Sequence, residues 1–279
     1  MEPEQLGPVY AMVSMALQAY GAQSSSLAGG GAELRYKHSK AVFFLLGKLQ
    51  EGLFASDGEA KEALLQLIFS GLQLGVPLVN AELLAYPKLR RLFFEVVGLT
   101  VQSAPAQVLA LPPELFGSLM RSLEYGLQQP EGACDSMQVA MCLDSICDLA
   151  KYVFRQQECG GGETAAILAT DGQHSQALLH FLQVLFDKLL FGDVGAELVD
   201  SASDLALALI LCYESMFNAM VQQLLASRTE AERTRLSAEF GSLMGTGGIG
   251  RGLDRANRGK FRKNMLGFLT SVRGFLHSK

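Results

Sequence analysis

The side chains of this chain that could do chemistry fall into three charged groups. Asp144, Asp148, Lys151 and Arg155 follow one another at helical spacing, and so do Glu197, Asp200 and Asp204, with Glu214 and Asn218 further along. Near the end, Arg251, Arg255, Arg258, Lys260, Arg262 and Lys263 form a basic cluster opposed only by Asp254. Residues three and four apart share one face of a helix, so each acidic group can act as a single surface. The plainer reading is a solvated helix face with internal pairs such as Asp148 with Lys151. The sharper one sets these acids on a concave surface, built from the second helices of successive hairpins and turned toward a basic partner. The basic cluster reads as a solvated linker and first helical turn, or as a contact with an acidic protein surface or another repeat. Phe261 is its only aromatic, which disfavours a stacking groove for nucleic acid. The candidates for partner binding are thus Asp144, Asp148, Lys151, Glu197, Asp200, Asp204, Arg251, Arg255, Arg258 and Lys260.

Catalytic and metal-binding chemistry finds little support. Cys142 and Cys147 lie five apart on a predicted helix, about 140° around its axis, so they do not converge on one ion. His174 and His180 also point to different faces. Gly245–Gly250 spells G-x-G-x-x-G, but a helix pattern precedes it and no acid stands at the ribose-binding distance. Gly259-Lys260 is followed by Phe261, so it is no phosphate-binding loop of the Walker type. No Gly-x-Ser-x-Gly elbow occurs. No catalytic residue, cofactor or metal is expected, and the chain is not read as an enzyme.

The elements that must position these charges are helices throughout. Leu111–Leu127 (LPPELFGSLMRSLEYGL) opens with Pro112 and Pro113, which suit a first helical turn, and carries Leu115, Leu119 and Leu123 at intervals of four. A turn at residues 129–132 leads into a second helix over Cys134–Gln157, and the pair makes a hairpin. Similar patterns predict helices over Pro3–Tyr20, Tyr36–Phe54, Ala60–Gly75, Lys88–Ser103, Ser175–Phe191, Thr229–Met244 and Lys260–His277, and a short helix or helical turn over Pro77–Tyr86. Val194–Ser227 reads as one long helix, or as two joined near Ser201–Ser203. No strand alternation is visible.

Neither helix of a hairpin can bury its apolar face alone. The expected fold is therefore all-α, an α-solenoid of antiparallel hairpins whose spacing, roughly 50 residues, is near that of HEAT-type repeats. Residues 1–279 read as one array: a first hairpin over 1–58 with a flexible loop at 21–32, core hairpins over 59–244, a Gly/Arg linker over 245–259 and a terminal helix over 260–279. Hydrophobic residues make up 49% and charged residues 18%, as expected of helices buried on more than one side. The net charge of −5 argues against nucleic acid as the main partner. No apolar run approaches the roughly 20 residues of a membrane helix, and Leu205–Cys212 (LALALILC) is the strongest. The acidic start MEPEQ lacks the basic region of a signal peptide, and an odd count of 5 cysteines fits reduced thiols of the cytosol or nucleus.

The organising hairpin also carries a resemblance. LPPELFGSLMRSLEYGL is similar to a segment near the C-terminus of the exportin-4-like nuclear transport receptors of the importin-β (karyopherin) superfamily. Gly75–Leu99, with Leu83-Leu84-Ala85-Tyr86-Pro87, then Leu179–Leu190, Val221–Ser227 and Phe268–Lys279 fall in the same order, so the likeness covers about Ala60 to Lys279. It implies a HEAT-repeat superhelix that binds a protein cargo, a hypusine-bearing translation factor among them, together with Ran-GTP. It further implies passage through the pore by contact with nuclear pore proteins, shuttling between nucleus and cytoplasm, and no nucleic-acid or membrane partner. Such receptors are several times longer, so the chain is expected to be their C-terminal portion. The alternative is a cytosolic helical-repeat scaffold without transport activity.

Overall fold

Apolar side chains at helical period, leucine and phenylalanine foremost, make up the buried core among the described residues. The computed structural model describes residues 11–22, 31–53, 56–129, 135–160, 172–192, 194–245 and 249–276. Among these no strand occurs, and the fold is the expected all-α class. The expected loop at 21–32, the turn at 129–132, the glycine break after Cys159 and the glycine run after Gly245 lie largely outside the described residues. The chain divides into two compact units, Met1–Tyr125 and Gly126–Lys279.

The first unit holds α1 (residues 11–22), α2 (Ala32–Leu53), α3 (Gly58–Gly75), a 3-10 turn at Val76–Leu78, α4 (Ala81–Leu84), α5 (Pro87–Ser103), α6 (Pro105–Leu109) and most of α7 (Pro113–Gln128). Contacts that rise along α2 as they fall along α3 make these two helices antiparallel. Gly52 lies by Leu64, Leu46 by Gly71, and Val42 and Phe43 by Gly75. Gly71 is needed for this approach, since a Cβ there would stand 2.4 Å from Leu46 Cδ2. α5 instead runs parallel to α2. Phe43 meets Phe93 edge-on at 5.0 Å, Gly47 lies by Val96, and Gln50 reaches Val96 and Thr100. A hairpin followed by a helix parallel to its first member is the elementary step of a helical solenoid. Proline at the first turn starts α5, α6 and α7, where its missing N–H costs nothing.

The second unit holds α8 (Ser136–Glu158), α9 (Gln173–Phe191), a 3-10 turn at Ala196–Leu198, α10 (Val199–Cys212), α11 (Glu214–Ala226), α12 (Glu230–Met244) and α13 (Arg255–Leu276). α10 is its centre: every residue from Ala202 to Ile210 is buried, and from Leu205 to Ile210 the helix is apolar all round. α8 and α13 both pack on it. Asp135 caps α8 by accepting from Met137 N, and Thr229 with Glu232 forms a capping box on α12. α12 and α13 pair antiparallel through Phe240 on Phe268, 4.9 Å apart, and through Asn264 donating to Leu243 O.

Two boundaries differ from expectation. The chain does not break near Ser201–Ser203, because the buried Ser203 hydroxyl donates to Val199 O and satisfies itself inside the helix. It turns by 108° at Tyr213, which no glycine or proline marks. The last helix begins at Arg255, five residues before the expected Lys260. Asn257 makes this possible: its Nδ2 donates to Gly250 O and Gly252 O, and its Oδ1 accepts from Gly250 N, so residues 250–252 fold back onto the first turn. Asp254 caps that turn by accepting from Asn257 N.

Candidate functional site: a charged seam across the second unit

α10 places one carboxylate where water barely reaches. The Asp204 side chain is 10% exposed, and Arg262 on α13 donates to both of its oxygens from Nε and Nη2 at 2.8 Å each. Arg258, one turn earlier, adds a contact of 3.2 Å from Nη1. Arg262 Nη1 reaches back to Asp200 at 3.0 Å. A forked guanidinium on a carboxylate is among the stronger polar contacts, because two charge-assisted bonds share one geometry. Burial alone would push Asp204 up; hydrogen bonding and charge from Arg262, then Arg258, outweigh it and hold the carboxyl below its usual range. Arg262 is driven the other way, above its already high value, by the same bond.

The seam continues onto α8. Ser201 hydrogen-bonds the Asp144 carboxylate, and Asp148 takes an ion pair from Lys151 at 3.0 Å. Asp144 is raised, first by loss of solvation and then by the nearby Asp148 and Asp204. Burial pushes the Cys147 thiol up to about 12, so it is neutral at ordinary pH and reacts poorly as a nucleophile. Cys212 is likewise raised to about 12, and its thiol donates to Ala150 O across the α8–α10 contact.

The structure therefore brings together Asp144, Asp148, Lys151, Asp200, Asp204 and Arg258 of the ten candidates. Two of the groups chosen as partner-facing, the acids of α10 and the cations of α13, face each other. Of the rest, Arg251 pairs with Glu214 at 3.0 Å, with both side chains exposed. Glu197, Arg255 and Lys260 are exposed. Arg262, which holds the seam, stood outside the chosen set, as did Ser201. One signal could have found it: Asp200 and Asp204 are four apart, as are Arg258 and Arg262, so the two helices present matching ladders.

This arrangement joins helices rather than poising an acid against a base, since every buried carboxylate of the seam has a cation or hydroxyl on it. A cleft of 270 Å³ between α9 and α11, lined by Phe186, Phe191, Val221, Leu224 and Phe240, carries Asp187 as its single titratable side chain. Among the described residues no group of three His, Cys, Asp or Glu side chains could hold a metal ion, and no single helix is long and apolar enough to cross a membrane.

Comparison with known proteins converges on one family. The Exportin-4 family model matches residues 35–279. The chain is 26% identical over 230 residues to Exportin-7-B of Xenopus laevis, covering 79% of this chain and 20% of that protein. It is 24% identical over 216 residues to Exportin-4 of Dictyostelium discoideum, covering 77% and 18%. Against Ran-binding protein 16 of Drosophila melanogaster it is 24% identical over 203 residues, covering 68% and 18%. The chain thus spans about a fifth of the length of the curated relatives it matches. These relatives are karyopherin-family members. The family match runs from α2 to the end of α13 and takes in the charged seam: this chain belongs to the Exportin-4 family.

Proposed function

We propose that the chain works as the C-terminal helical-hairpin portion of a nuclear export receptor, one that takes a protein cargo together with Ran-GTP through the nuclear pore. The observation that carries this reading is the Exportin-4 match over residues 35–279, supported by the likeness to Ran-binding protein 16. Cargo and Ran-GTP bind reciprocally, each raising affinity for the other by the same factor. The receptor shuttles between nucleus and cytoplasm and touches nuclear pore proteins on the way. Within this portion the seam holds helices together, and its exposed acids Asp144 and Asp200, with the exposed Glu197, are the face offered to a cationic cargo. A hypusine-bearing translation factor has the right chemistry, since a long cation is drawn to an acidic surface by simple electrostatics.

The test captures the protein as cells make it, through an antibody to α13, after Ran loaded with GTP or with GDP is added to the extract. Cargo and Ran retained with GTP and released with GDP is the expected result. Cargo retained equally with either nucleotide would overturn the export reading and favour a scaffold. An immunoblot with the same antibody gives the size of the protein that carries this portion.

A further inference from the structure

We draw no further inference here: the strongest candidate, the apolar cleft of 270 Å³ between α9 and α11 with the exposed Phe191 on its wall, is bordered by charges of opposite sign, Asp187 in its lining and Arg228 over the Phe191 ring, so nothing in the structure shows what covers it.

Discussion

The two units tie their helices together with different chemistry. In the first, the polar contact between α2 and α5 is neutral: the buried Gln50 Nε2 donates to Val96 O and Thr100 Oγ1, each at 2.8 Å. In the second, the contact between α10 and α13 is ionic, with Asp204 under two arginines. A neutral amide bond is indifferent to pH and nearly so to salt, and its net worth is modest. A partly buried ion pair costs desolvation to form, and breaking it from one side leaves the other charge stranded. Both units bury leucine and phenylalanine, so the contrast lies in the polar contacts.

Substitutions can sharpen this contrast, and hydrogen exchange reads each unit separately in the intact chain. Asp204→Ala carries the largest expected effect, a loss of about 3 kcal/mol. It is moderated because the Arg262 side chain is 37% exposed and can rehydrate. Protection should fall along α13 and α10 and stay unchanged in α2 and α5. Acid should act in the same direction. The folded Asp204 carboxyl lies below its unfolded value, so its contribution is present above the ordinary carboxylate range and is lost as pH falls through the lower, folded value. Asp144, raised in the fold, works oppositely and recovers a little stability on protonation. α13 should therefore lose protection in acid before α5 does, and equal loss in both would remove the contrast. Gln50→Ala should cost about 1 kcal/mol, confined to α2 and α5 and independent of salt when measured by denaturant melts at two ionic strengths. Arg251→Ala, which breaks a pair exposed on both sides, should change the stability read from denaturant melts by less than about 0.5 kcal/mol.

Helices were readable where leucine and phenylalanine recur at three and four residues, as in α2, α5 and α7, because burial of one face dominates their energy. α6 was missed because five residues are too few to show a period. The bend at Tyr213 was missed because tertiary packing sets it, without a local breaker. The early start of α13 rests on Asn257 bonding backbone across a glycine stretch, a tertiary event written in one side chain. For the charges, residue types were legible and pairing was not. Asp204 and Arg262 stand 58 residues apart, and only their matched four-residue ladders hinted that acids and cations chosen separately would meet.

The measurement that tests the account most directly is a double-mutant cycle on Asp204→Asn and Arg262→Met, read as the stability of α13 by hydrogen exchange. Helices joined by this pair predict a coupling of about 2 kcal/mol, with the double variant costing far less than the sum of the singles. Additive losses would mean that Asp204 and Arg262 act independently and that their pair is not what joins α10 to α13.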